Sequence, residues 1–477
     1  MRAPFLLLFL AELAGFGIWA HRLGFYHDDW VFLEKCVRGA GFWGAVGDFA
    51  EGGYWSRPLE ILHFPLLHAL GGLKPFPYHA ALLALDLAQA SLFFVLLKRL
   101  LDAPRLALLA ACFFVLHPSR FATHVWMASS PQALALALVM ASMVLYLKWM
   151  DSRSLRWLFL SQALYLGGFL SYESGAFLPF MLFGGLAARY HRAGLGWKRS
   201  LRDAAAAMIP FGLTLAAGLA WQIFGASALQ GANPKTLAPS LTRGLKVFGA
   251  GFECLTNRAL HVCWKLAPTA WLEASWGLRL AWGACTVVIA GWLGGRPAAE
   301  GVGGAVRPAL AAAAAGFFAA YLPYAVSADY SPQVFGLMSR TNAAGAFAGA
   351  LALAAGLAAF ADRVRLQRSV LLVLVGAFTW ANWGQARQWT RSWEIQKDIM
   401  TRLAPKADRL PPGSMIFLCA PRETGTAPVF DAHFSVSGAL RLSSGRLDLS
   451  GEPACEVPAG RRGWVYRYPE DVLEAGR

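Results

Sequence analysis

The sequence predicts an all-α polytopic membrane protein of about eleven transmembrane helices, with a small α+β appendage at its C-terminal end. Three observations predict it. Only 15% of the 477 residues are charged and 57% are hydrophobic, whereas a water-facing surface draws on about 25% charge. Apolar runs recur near the length a hydrocarbon core demands, about 20 residues of helix. The basic residues, whose excess gives a net charge of +15, fall in short clusters between those runs, as the positive-inside rule expects. Such a composition excludes an ordinary soluble enzyme, a disordered chain and a disulfide-rich miniprotein. No basic stripe interleaves with aromatics in a soluble segment, so nucleic acid is not an expected partner.

The runs are 4–20, 79–97, 104–117, 131–149, 156–171, 174–188, 204–224, 276–294, 308–326, 342–361 and 369–383. Met1-Arg2-Ala3 opens the first in the manner of a signal peptide. No small-x-small site closes that run, however, and it carries Glu12, an ionisable residue expected to face a bundle interior. It therefore reads as an uncleaved anchor. With the N-terminus inside, the five inner loops hold sixteen Lys and Arg, against Arg120 and Arg340 alone in the three short outer loops. That asymmetry fixes a cytoplasmic N-terminus in the plasma (inner) membrane, and an odd number of spans puts the C-terminus on the periplasmic or extracellular face. Residues 1–383 form the transmembrane domain, with 21–78 as an outward loop and 225–275 as a second outward stretch. Residues 384–477 form the outward C-terminal domain: an amphipathic helix near 384–404, then strands at 415–418, 434–437 and 464–466 separated by turn signals such as Pro411-Pro412-Gly413. Cys419 and Cys455 would share an oxidising compartment there and can bridge. Asp86 is expected to hydrogen-bond a neighbouring helix.

The densest group of chemical residues is Tyr26-His27-Asp28-Asp29-Trp30. Neighbours in an extended loop point to opposite sides, so one carboxylate can face a substrate while the other binds protein. Two close like charges also raise one pKa toward the range of a useful base. The competing reading is an Asp cap on a helix starting at Trp30. Arg57, before Pro58, can clamp a phosphate bidentately or anchor a lipid headgroup; His63 follows close behind. His117 and His124 flank the Pro118 turn after the third run. His117 either donates to a phosphate or satisfies a helix end. Tyr172-Glu173 lies in a tight hairpin, where a carboxylate needs a partner or caps the next helix. Arg340 stands against the positive-inside bias and is a candidate anion ligand, near Asp329. A divalent metal is possible at His27, His63, Asp28 and Asp29, but no spacing specifies one, and no cofactor is called for.

In this order the segments resemble the GT-C superfamily, membrane glycosyltransferases that use polyprenyl-phosphate-linked sugars. A carboxylate pair follows the first helix. Ser56-Arg57-Pro58-Leu59 with Tyr78-His79 resembles that family's segment before the second helix. His117-Pro118 through His124 and Trp126 resembles its turn after the third. Glu173 is similar to the glutamate of bacterial relatives of the protein O-mannosyltransferases, with Tyr172 where a lysine usually stands. The likeness covers about residues 20–190. It implies a polyprenyl-phosphate-sugar donor, a glycan, lipid or protein acceptor, and inverting transfer on the outer face. Asp28 or Asp29 would be the base, and Arg57, His117, His124 and Arg340 would bind the donor phosphate, supported by His27, His63, Tyr172 and Glu173. The alternative is a lipid-linked-sugar flippase with no transfer chemistry, or a scaffold with no activity.

Overall fold

In the computed structural model, residues 2–230, 240–294, 302–327, 330–360 and 363–476 are described; Asp329 lies outside them. Among the described residues, each of the eleven apolar runs is mostly helical; the run 174–188 is interrupted by a turn at 176–179, and Ala361 lies outside the described residues. Eight described helices are long and apolar enough to cross a membrane. The other three runs, in Pro104–Leu116, Leu155–Ser171 and Phe180–Arg192, hold 13, 17 and 13 helical residues. At about 1.5 Å per residue, 13 residues reach only about 20 Å, so these spans borrow length from flanking turns. The Pro104–Leu116 helix is sheathed on every side, each residue from Leu106 to Leu116 being buried.

The last span does not stop at 383. It continues through the amphipathic segment as one helix, Val364–Ala407, of 44 residues. A helix of that length, about 66 Å, joins the transmembrane bundle to the C-terminal sheet. In that sheet, Met415–Cys419 is central. It pairs in parallel with Ser450–Glu452 on one side and Gly463–Arg467 on the other, and Val472–Gly476 adds antiparallel to the latter. Cys419 and Cys455 are bonded. The expected strand at 434–437 is instead part of the helix His433–Ser444. The Phe-Ser-Val-Ser alternation has a period of two only locally, whereas Val436, Ala439 and Leu440 are buried at helical spacing. Gly445, at φ 71°, ends the helix in a left-handed turn.

The stretch 225–275 is not a plain loop among the described residues. It contains the helices Leu241–Leu255 and Asn257–Glu273, which pack on the bundle and leave Leu245, Phe252 and Trp264 exposed. The loop 21–78 holds three short helices: Asp29–Arg38, Phe42–Glu51 and Pro58–Gly71. The last exposes Leu62, Leu66 and Leu70, a stripe at i, i+4 and i+8, which suits a helix lying along a membrane surface.

Two glycines bring this loop against its neighbours. A Cβ on Gly24 would sit 1.8 Å from the Trp393 ring, and one on Gly438 would meet the Trp30 carbonyl oxygen at 2.8 Å. The helix His433–Ser444 thereby docks on Asp29–Arg38, where Arg441 Nη1 donates to Glu34 Oε1 at 2.8 Å. The C-terminal appendage is thus fastened over the segment carrying the carboxylate pair.

Candidate active site

The adjacent acids have different surroundings. Asp29 is fully buried; its Oδ2 accepts from the Tyr26 N–H at 2.9 Å and its Oδ1 from the Ala128 N–H at 2.8 Å. It ties the loop to the start of the Ser130–Ser152 helix and points away from any opening. Asp28 makes no helix-capping bond, and its side chain keeps 34% of its surface exposed. The cap reading is therefore excluded for both residues. Burial, the largest influence, raises the Asp28 pKa; His27 and Arg340 oppose it and Asp431 adds to it.

His27 sets this divergence. Its φ of 49° is a left-handed backbone conformation that a residue with a Cβ adopts at a cost. Nδ1 of His27 lies 2.8 Å from Asp431 Oδ1, and its Nε2 faces Asp28 Oδ1 at 3.5 Å. The ring meets Phe434 and Trp126 edge to face, with centroids 4.8 and 6.0 Å apart. Burial works against the imidazolium, but the Asp431 hydrogen bond and the charges of Asp28 and Asp431 outweigh it and raise its pKa. Asp431 comes from the appendage, 404 residues away in sequence. Nothing local marked it, since its role depends on the docking of His433–Ser444.

Arg340 also lies against Trp126, its guanidinium carbon 4.7 Å from the indole centroid and 5.7 Å from the Tyr330 ring. Among the described residues no carboxylate forms an ion pair with it. Arg57 lies in the same neighbourhood. Its Nε and Nη2 donate to the two oxygens of Glu173 at 2.8 and 2.9 Å, Glu60 lies 3.6 Å from Nη1, and the guanidinium stacks on Tyr172 at 3.9 Å. Arg57 is therefore held from several sides and is no free headgroup anchor. Burial would raise the Tyr172 phenol, but the charges of Arg340 and Arg57 prevail and draw its pKa down. Where the resembled pattern has a lysine before the glutamate, the cation here reaches Glu173 from another helix.

Asp28, His27, Arg57, Tyr172, Glu173 and Arg340 thus share one electrostatic neighbourhood, to which Asp431, Glu60 and Trp126 are added. Besides the buried Asp29, three expected residues lie elsewhere. His63 hydrogen-bonds Ser130 Oγ at 2.8 Å, and burial pushes its pKa down to about 4, so it is a neutral tether. His117 uses Nδ1 on the Ser119 hydroxyl at 2.8 Å and caps its turn. It also borders an apolar cleft of about 670 Å³ among the helices Leu241–Leu255, Asn257–Glu273, Val302–Val326, Ala343–Ala358 and Val364–Ala407. His124 is buried with Glu12 and Asp86. Both corrections have one cause: the Pro118 turn points inward, because its backbone is held by the turn carrying Arg340. Ala122 N–H donates to Ser339 Oγ and Asn342 Nδ2 to the Ser119 carbonyl, each at 2.9 Å. Among the described residues, His27, His63, Asp28 and Asp29 do not gather as metal ligands.

Over nearly its whole length the chain is similar to a solved structure of ArnT from Cupriavidus metallidurans bound to undecaprenyl phosphate. Identity is 13%, 98% of this chain and 93% of that one are covered, and the TM-score is 0.41. It is also similar to the same protein in the apo state, at 14% identity, 98% and 92% coverage and a TM-score of 0.38. No protein-family model matches the chain. No curated protein matches it either.

Proposed function

We propose that this chain is an integral-membrane glycosyltransferase that moves a sugar from a polyprenyl-phosphate donor to an acceptor hydroxyl on the outer face, with inversion. The observation that carries the reading is the pairing of an open carboxylate, Asp28, with a cation, Arg340, that no described carboxylate neutralises. A base and an anion receptor within one electrostatic neighbourhood suit a reaction that withdraws a proton and releases a phosphate. Asp28 takes the acceptor proton as that oxygen attacks the anomeric carbon. The bond from that carbon to the phosphate oxygen breaks, and its electron pair leaves with the lipid phosphate. Arg340, assisted by Arg57 and the Tyr172 hydroxyl, receives the developing charge in a site partly shielded from water, where fixed cations count for more. Phosphate leaves readily, so a strong general acid is less needed than in glycoside hydrolysis. His27, held by Asp431, fixes the rotamer of Asp28. The apolar cleft bordered by His117 suits an isoprenoid chain.

Purified protein in lipid vesicles, given a labelled polyprenyl-phosphate sugar and candidate acceptors, tests this. Formation of free polyprenyl phosphate together with glycosylated acceptor is expected. Movement of the sugar lipid between leaflets without cleavage would instead establish the flippase.

A further inference from the structure

A second polar cluster lies inside the bundle, apart from the proposed site. Glu12 of the first helix, Asp86 of Pro75–Leu101 and His124 of the short helix Ala122–Val125 place a ligand atom each within 4.8 Å of one another, and all three are buried. His124 Nδ1 is 3.4 Å from Asp86 Oδ2 and 3.7 Å from Glu12 Oε1. Neither ring nitrogen of His124 and neither oxygen of Glu12 has a hydrogen-bond partner, although both residues are more than nine-tenths buried. Buried polar atoms are rarely left so. Two carboxylates and an imidazole converge here, and although Asp86 is bonded by Arg120, the unpartnered atoms of Glu12 and His124 leave room for an ion between them.

We propose that Glu12, Asp86 and His124 bind one divalent transition-metal ion of the zinc class. Zinc bonds to imidazole nitrogen and carboxylate oxygen are about 2.0–2.1 Å, which sets tetrahedral ligand atoms about 3.3 Å apart. The observed 3.4 and 3.7 Å separations need little movement to close on such an ion. The ligand set, one nitrogen and two carboxylates, suits zinc or cobalt better than magnesium or calcium, which prefer all-oxygen shells. Asp86 is oriented from behind: Arg120 Nη1 and Nη2 donate to its two oxygens at 2.6 and 2.8 Å. Arg120 in turn donates from Nε to the Phe114 carbonyl at 3.0 Å. Phe16 lies flat on the His124 ring, with centroids 3.5 Å apart. Such outer contacts commonly fix metal ligands in place. Charge sets the competitor. Two carboxylates and Arg120 leave one net negative charge, which a dication bearing one hydroxide or a single shared proton would each neutralise. The ion would pin the first helix, which leads into the His27–Asp28 loop, to the Pro118 turn and the Pro75–Leu101 helix.

The test uses full-length protein without a polyhistidine tag. It is stripped with chelator in detergent, given one equivalent of Zn²⁺ or Co²⁺, desalted and analysed for metal. The wild type should retain about one ion per chain, unfold at a higher temperature than the stripped protein, and with Co²⁺ show tetrahedral d–d absorption in the visible. Glu12→Gln and His124→Gln should lose retention at least tenfold, while His63→Gln keeps it. If the folded wild type retains neither metal and shows no Co²⁺ spectrum, the cluster holds a proton and the proposal fails. The wild-type titration decides this even if a variant does not fold.

Discussion

At the residue scale, the division of labour between adjacent acids follows from one left-handed residue. In a purely extended loop the choice between Asp28 and Asp29 stays open, because both are equally acidic on paper. His27, at φ 49°, turns one toward backbone donors and leaves the other beside an imidazole and a guanidinium. Asp29→Asn should therefore act on stability. Its amide nitrogen cannot accept, so a buried N–H of Tyr26 or Ala128 loses its partner at a cost of about 1–3 kcal/mol, visible as a lower unfolding temperature with transfer per folded molecule largely kept. Asp431→Asn should act on the pH profile. Asp28 works deprotonated, so transfer rises as pH climbs through its raised pKa. His27 holds Asp28 best as imidazolium, so transfer falls again as pH passes the raised His27 pKa. Removing the Asp431 charge takes away an influence that raises both groups, and both limbs should move to lower pH. A uniform loss at every pH would mean that Asp431 only fastens the appendage. Arg340 stood out in the sequence because a basic residue in a short outer loop runs against the charge bias, and Arg57 because it precedes Pro58 at a helix start. Asp431 did not, since its neighbours in sequence give it no chemistry.

At the element scale, periodicity located the helices well and the strands less well. Among the described residues every apolar run is mostly helix, because in hydrocarbon the backbone must satisfy itself within the segment. Two elements resisted reading. The Val364–Ala407 helix joins an apolar half to a polar half, so a change in composition looked like a boundary. His433–Ser444 carries a brief two-residue alternation, and its register emerges only when Val436 and Leu440 meet the sheet. That helix also places Asp431, and both lie within the 36-residue separation spanned by Cys419 and Cys455. Closing a loop of this size stabilises the folded state by about 2–4 kcal/mol. Replacing both cysteines with serine should therefore loosen the appendage, seen as faster proteolysis after residue 410, and should lower transfer to the level of Asp431→Asn. Full activity in the double mutant would separate the appendage from the chemistry.

At the scale of the whole molecule, the C-terminal ends of the helices Arg2–Gly15 and Pro104–Leu116 gather with the N-terminal ends of Pro75–Leu101, Ser130–Ser152 and Ala343–Ala358. The proposed site lies at that end, which the positive-inside rule predicts to be the outer face. In a background without the exposed Cys285, Arg462→Cys in the appendage should react with a membrane-impermeant maleimide added to intact cells. Lys198→Cys should react only after the membrane is opened. The reverse pattern would put the carboxylate on the side of the sixteen inner-loop cations and remove the basis for an outer-leaflet donor. The whole rests on Asp28 as the group that takes the acceptor proton. The most direct measurement compares wild type and Asp28→Asn, both folded in lipid, for sugar transfer from a labelled polyprenyl-phosphate donor. Loss of a positioned base should lower turnover by about 10²–10⁴-fold, with donor binding and unfolding temperature little changed. Transfer at the wild-type rate would contradict the assignment.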